Sequence, residues 1–403
     1  MNARLGALVL CSFVLTGQAT SADVVTEWNT SAGDIAVAAK MSTPSTNRMM
    51  AIVQTAVFEA VNAITRRYPS SRARLDGTPD ASVDAAVAAA NRATLSKMVP
   101  SQQAAIDSAY QAALADIPAG SARDHGIAIG EQAAAAVLAM RADDGANAPE
   151  DYRPRTTPGT YVPTALPVVP QWPQRKPWVM TRADQFRPGP PPALTSEAWT
   201  RDYDEIKAVG GKNSSRRTAE QTDIARFWEA TGPTIYLPLA LSVADAPGRE
   251  VTQNARLLAA TSQAIDDAVI AVFDAKYHYG LWRPITAIRN GDIDGNEATA
   301  RDASWLPFID TPMHPEYPCA HCIVAASIGA VLQAEVGDGP MPTLTTTSPT
   351  APGVVRSWTR VDDLVQEVSN ARIYDGVHYR TSTEVGAAMG KKIGELAAKT
   401  LLR

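Results

Sequence analysis

An all-α fold, built as packed helical bundles with a proline-rich connecting segment, is what this sequence predicts. Three observations carry the prediction. Apolar residues recur at helical spacing over most of the chain. No region alternates convincingly with a period of two. Between residues 149 and 192, prolines crowd too densely for a helix or a central strand.

The chain opens Met1-Asn2-Ala3-Arg4, runs apolar from Leu5 to Leu15, and reaches small residues at Thr20-Ser21-Ala22. A positive start, a short apolar stretch and a small-residue exit predict a signal peptide over residues 1–22, with cleavage after Ala22. The expected location is periplasmic or secreted. Cys11 lies inside this leader. No later run is long and apolar enough to span a bilayer. The expected mature chain keeps 36 basic and 42 acidic side chains. That balance argues against nucleic acid as a partner, so a local cluster of cations needs a specific reason.

Residues 45–66 place Met49, Ile52, Val53, Ala56, Val57, Ala60 and Val61 on one helical face. Residues 80–98, 101–115 and 121–142 are alanine-rich helices, punctuated by Pro100 and Pro118-Ala-Gly120. Residues 23–148 thus form an N-terminal helical region. The next segment, 149–195, holds twelve prolines together with Trp172 and Trp178. Its interleaved aromatics favour an extended strand of chain wrapped over a surface. A second helical region, 196–403, resumes with helices at 196–208, 217–230 and 248–279. Residues 319–336 follow, with Pro318 near the first turn and Gly337 after the last. Thr343–Pro352 reads as a polar loop, and residues 361–374 and 383–402 complete the helices.

Four of the five histidines fall in the last third. Lys276 and Arg283 are seven residues apart, about two helical turns or roughly 10 Å, and Gly280 and Pro284 end the helix within that span. Arginine offers a fork of donors to an oxyanion and lysine a point charge. His321 lies in the first turn after Pro318, where free N–H groups at Cys319, Ala320 and His321 favour an anion. Arg372 and His378 bracket the turn Asp375-Gly376, which can bring both to one pocket. Three cations and several imidazoles in such an arrangement suit a tetrahedral oxyanion. Cys319 and Cys322 are the cysteines left in the expected mature chain, and export permits one local bridge between them. Asp266-Asp267 and Asp274 are carboxylates without the companion spacing of a zinc or di-iron centre.

These pieces resemble the vanadium-dependent haloperoxidase and type 2 phosphatidic acid phosphatase superfamily, whose signature is Lys-x6-Arg-Pro, Pro-Ser-Gly-His and Ser-Arg-x5-His. Here they stand as Lys276…Arg283-Pro284, Pro318-Cys319-Ala320-His321 and Ala371-Arg372…His378. The flanks Trp282–Arg289, Trp305–Phe308, His314–Pro318 and Met50–Asn62 are similar to the bacterial haloperoxidase-like branch. The resemblance implies vanadate as cofactor, with phosphate able to occupy the same site. It implies that His378 bonds vanadium and that His321 is the general acid/base. Lys276, Arg283 and Arg372 would neutralise the anion, with Cys319 and Ala320 at its helix-end cradle. His314 and Phe273 would line the halide and peroxide side. The implied activity is a peroxidase that uses hydrogen peroxide to oxidise halide, bromide ahead of chloride. The alternative is an acid phosphatase acting on a phosphate ester through a phosphohistidine at His378, with His321 protonating the leaving oxygen. A non-catalytic helical anion-binding protein is a further alternative.

The departures are also informative. Cys319-Ala320 replaces the family's Ser-Gly, so a hydroxyl donor is lost and a thiol gained. Cys319 and Cys322 can be bridged, free in a phosphatase that never meets peroxide, or redox-active in their own right. The Asp usual four residues after the last histidine is Ser382, which leaves open what orients His378. Glu384 is the carboxylate that would take its place, while Glu316 reads as a turn residue or as support behind the site.

Overall fold

The computed structural model describes residues 23–69 and 75–402. The expected signal peptide, its cleavage point and Cys11 lie outside the described residues. Thirteen α-helices, three single-turn 3₁₀ helices and one two-stranded sheet make up the regular structure described. None of these helices is long and apolar enough to cross a membrane.

The N-terminal helices are α1 (Val24–Ala38), α2 (Thr43–Thr65), α3 (Val83–Met98), α4 (Gln103–Ala115) and α5 (Ser121–Met140). Helix α1 was not expected; its start is fixed by Asp23, whose carboxylate accepts the N–H groups of Val25 and Thr26. Helices α3 and α5 meet backbone to backbone because alanines line α3 and glycines stand at 126 and 130 on α5. A Cβ at Gly130 would lie 2.3 Å from the Ala86 carbonyl oxygen.

The later helices are α6 (Glu197–Val209), α7 (Ala219–Phe227), α8 (Pro233–Ala244), α9 (Val251–Tyr279), α10 (Pro284–Arg289), α11 (Ala320–Val336), α12 (Val361–Tyr374) and α13 (Arg380–Leu401). Helix α9 is the axis of the molecule. It packs on α2 on one side and on α11 and α13 on the other, and nearly every residue from Thr252 to Lys276 is buried. A helix buried all round belongs in a core rather than on a surface. One continuous apolar cluster therefore runs through both groups of helices. A second cluster, with Trp199, Trp282, Trp305, Tyr317 and Tyr379, sits beneath the chain turns that carry the histidines. Helix α13 lies flat on α11 through Gly386, Gly390 and Gly394, where a Cβ would approach the carbonyl oxygens of Cys319, Ile323 and Ser327 at 2.6, 2.1 and 2.3 Å.

The proline-dense segment is extended and pinned to α9 by carboxylates. Arg175 forks onto Asp266 at 2.6 and 2.9 Å, and the Trp178 indole donates to the same side chain at 2.8 Å. Asp267 accepts the backbone N–H groups of Trp178, Val179 and Met180 at 2.6, 2.9 and 2.9 Å. Arg187 forks onto Asp274 at 2.7 Å in both arms. The three acidic residues thus fasten the strap, and no cluster of metal-ligating side chains exists among the described residues.

Two differences from the sequence reading have physical causes. The 343–352 stretch is not a loop: β1 (Leu344–Ser348) pairs antiparallel with β2 (Ala351–Trp358), Leu344 opposite Trp358. Leu344, Thr346 and Ser348 are buried while Thr347 is exposed, so the alternation is real. It is written mostly in hydroxyl residues, and an apolar/polar pattern does not register it. Helix α8 was missed because it carries Pro233 and Pro238. The first stands at the start, where a missing N–H costs nothing; the second is tolerated inside.

Candidate anion site

Helix α9 ends where Gly280 turns left-handed (φ 61°), its N–H bonding to the Lys276 carbonyl. This releases the chain so that Arg283 turns back towards Lys276. Both side chains are buried. The Lys276 ammonium donates to the carbonyls of Pro315 and Glu316 at 3.0 and 2.8 Å. Arg283 donates to the carbonyls of His314 and Val377 at 2.9 and 2.8 Å. Its Nη2 donates to His314 Nδ1 at 3.0 Å, and Nη1 lies 3.4 Å from His378 Nε2. His314 Nδ1 also lies 3.2 Å from the Pro315 carbonyl, so this nitrogen has both a donor and an acceptor within reach.

Arg372 closes α12 and His378 lies in the short link to α13, as the Asp375-Gly376 turn implied. Arg372 Nη1 donates to the Trp228 carbonyl at 2.7 Å and lies 2.8 Å from Asp375 Oδ2. That second contact is an ion pair without hydrogen-bond alignment, since Oδ2 has no hydrogen-bonded partner. The buried Nε of Arg372 has none either.

His378 is held from behind. Its Nδ1 lies 2.8 Å from Glu316 Oε1, which also accepts the Tyr379 N–H at 3.0 Å. The Ser382 hydroxyl stands 3.5 Å from Nδ1, and Glu384 lines a separate surface groove. His321, in the first turn of α11, lies 3.1 Å from the Ala230 carbonyl through Nε2. A carbonyl only accepts, so Nε2 carries the proton and Nδ1 holds the lone pair.

Cys319 and Cys322 are bridged, and both are buried. The Cys319 sulfur accepts the Cys322 N–H at 3.1 Å, and the Cys319 N–H is spent on the Ser382 carbonyl at 3.1 Å. The Cys319 amide therefore does not face an anion as the sequence suggested; α13 has claimed it. His278 is exposed against Tyr279, and His125 is exposed on α5. Neither joins the site.

Arg372, His314, Ala320, His321 and His378 close one end of a cavity of about 400 Å³. Val168, Val269, Val272, Phe273, Met313 and Val324 form apolar walls, and Glu229 and Asp310 stand at exposed positions of the lining. Phe273 meets the His314 ring edge-on at 5.2 Å. Lys276 and Arg283 sit behind this lining rather than in it.

Burial, and then the neighbouring cations, push His378 and His321 well below the ordinary imidazole range, and push Lys276 well below the usual ammonium range. Burial brings Arg283 down to about 10. Burial pushes the Glu316 carboxyl up to about 7 against the pull of Lys276 and Arg283, and Asp375 up to about 6. Cations that depress one another, beside an orphaned guanidinium N–H, form a donor set that fits an oxyanion.

Residues 256–403 match the VCPO second helical-bundle domain. A vanadium chloroperoxidase of Curvularia inaequalis is 28% identical over 184 residues, which cover 38% of this chain and 29% of that protein. The match thus spans less than a third of the relative's length. The first bacterial vanadium-dependent iodoperoxidase structure superposes with a TM-score of 0.80, at 24% identity over 94% of this chain and 96% of that one. The chain has the vanadium haloperoxidase fold. A holo-type bacterial vanadium-dependent chloroperoxidase shares it at a TM-score of 0.75, with 17% identity over 90% and 92% of the two chains. Within this haloperoxidase fold, residues 256–403 are the second helical bundle, and they contain all three cations and all three site histidines.

Proposed function

We propose that this protein is a vanadate-dependent haloperoxidase that uses hydrogen peroxide to oxidise halide, with vanadate bonded to His378. The observation that carries the reading is the pose of His378. Its Nδ1 is fixed by Glu316, so Nε2 is presented towards the cavity beside Arg283, with Arg372 in the same wall. Bound vanadate supplies the centre at which peroxide is activated for oxygen transfer to halide.

The protein's own contributions follow from the geometry. Arg372 Nε, Arg283 and Lys276 neutralise an oxyanion's charge and withdraw electron density from it. His321, neutral and with its lone pair on Nδ1, takes a proton from entering peroxide and returns it to a leaving oxygen. The Ala230 carbonyl keeps that ring in one tautomer. His314 and Phe273 shape the wall beside the anion. Bromide and iodide give up electrons more readily than chloride, so these halides take precedence.

A phosphatase working through His378 uses the same cradle, and the apolar walls suit the organic part of a phosphate ester. The bridge between Cys319 and Cys322 favours the peroxide reading, because it removes two thiols that peroxide chemistry would otherwise oxidise. Paired assays on purified protein test the choice. Dye halogenation that requires orthovanadate, peroxide and halide supports the proposal. Aryl phosphate hydrolysis that vanadate inhibits supports the phosphatase. Silence in both assays leaves an anion-binding protein and overturns the enzymatic reading.

A further inference from the structure

We infer that Glu316 is the positioning residue for His378, doing from a distant loop what the neighbouring helix turn cannot. The inference rests on the proposed role of His378. One helical turn after His378 the chain offers only Ser382, whose hydroxyl stands 3.5 Å from Nδ1, at the limit of a hydrogen bond. Glu316 is sixty-two residues away in sequence and reaches Nδ1 at 2.8 Å. Its backbone is tied on both sides: the N–H donates to the Leu281 carbonyl at 2.9 Å, and the carbonyl accepts the Lys276 ammonium at 2.8 Å. The carboxylate also accepts the Tyr379 N–H, so one side chain fixes both the imidazole and the backbone after it.

The consequence is a defined tautomer. A carboxylate acceptor obliges Nδ1 to carry the proton, which leaves the lone pair on Nε2, the atom that faces the cavity. Without Glu316 the proton is free to occupy Nε2, and that form cannot bond to the centre of an oxyanion. The loop that places Glu316 also places His314, since the carbonyl of His314 is an acceptor of Arg283 and those of Pro315 and Glu316 are the acceptors of Lys276. Moving the carboxylate source from the α13 turn to this loop therefore couples His378 to Lys276 and Arg283 through a single segment.

The test compares the wild-type protein with Glu316→Leu, Glu316→Gln and the double variant Glu316→Leu/Ser382→Asp. Calorimetry measures affinity for orthovanadate and for inorganic phosphate, and ¹⁵N NMR of the imidazoles reports the His378 tautomer in the anion-free protein. We expect Glu316→Leu to weaken orthovanadate about 10- to 100-fold, to weaken phosphate less, and to move His378 protons onto Nε2. Glu316→Gln keeps an acceptor and should hold the Nδ1–H tautomer with an intermediate affinity. Should the leucine variant not fold, a glutamine variant with wild-type orthovanadate affinity would overturn the inference. Restored tautomer and affinity in the double variant supports it. An Nδ1–H tautomer that survives Glu316→Leu overturns it, as does equal loss of both anions. If wild-type protein binds no orthovanadate, the proposed function fails, while the tautomer measurement still judges Glu316.

Discussion

Gly386 offers a way to move the turn that carries His321 without touching it. In Gly386→Ala the new methyl would sit 2.6 Å from the Cys319 carbonyl oxygen, where ordinary contact begins at 3.4 Å. The first turn of α11 and the facing turn of α13 must part by about 0.8 Å. Overpacking of this kind costs roughly 1–3 kcal/mol, and alanine recovers about 1 kcal/mol of helix propensity over glycine. The net loss of stability is then about 0–2 kcal/mol. His321 stands two residues beyond Cys319, and a displacement near 1 Å in a catalytic group can cost on the order of 100-fold. Gly394→Ala is the control. Its methyl would meet the Ser327 carbonyl at 2.3 Å, a worse clash, two turns further from the site. Urea unfolding and orthovanadate calorimetry on both variants should rank oppositely. Gly394→Ala should lose more stability and keep its affinity within about twofold, while Gly386→Ala loses at least tenfold in affinity. Equal losses of affinity in the two variants would refute the argument, because the effect would then be global loosening rather than a shift of one turn.

Three further outcomes follow from the geometry. Asp267→Asn can satisfy only part of the three N–H groups that the carboxylate accepts from the strap, and should lose about 1–3 kcal/mol in urea unfolding. Burial raises the Asp267 carboxyl to about 6 in the folded chain, against about 4 unfolded. Its stabilising contribution is therefore full below pH 4 and lost as pH rises through 6, so the deficit of Asp267→Asn should be larger at pH 4 than at pH 7. His378→Ala should abolish whichever turnover the paired assays detect, and full retained activity would remove His378 from the chemistry. Alkylation of unfolded, unreduced protein followed by peptide mass analysis should label neither Cys319 nor Cys322; two labelled thiols would contradict the bridge.

The site was legible in the sequence where chain breaks and functional groups coincide. Gly280 between Lys276 and Arg283, and Asp375-Gly376 between Arg372 and His378, announce that a helix stops and a side chain turns inward. The structure brings these four residues and His321 to one cavity end and its backing layer. The sequence pointed to Glu384 as the carboxylate beside His378 and not to Glu316, because the Glu316 partnership spans sixty-two residues and leaves no local spacing to read. The loss of the Cys319 amide to Ser382 was invisible for the same reason. In the fold, prolines concealed α8 and hydroxyl residues concealed the β1–β2 alternation. Both are cases where tertiary burial overrode what local composition favours.

The carboxylates along α9 give the strap a significance beyond connection. Asp266 and Asp267 are fully buried and find their donors in residues 175–180. Gln263 on the same helix reaches Thr55 of α2 at 2.8 Å. The second-bundle match begins at residue 256, inside this helix. That boundary marks sequence kinship, not an autonomous folding unit. A fragment cut there would present two carboxylates and a large apolar face to water with nothing to close over them. The histidines and cations would all be present in such a fragment, yet the helix that carries Lys276 would have lost the partners that keep it buried. The cations and histidines of the candidate site come from one end of the described chain, and residues from the rest of it hold them in place.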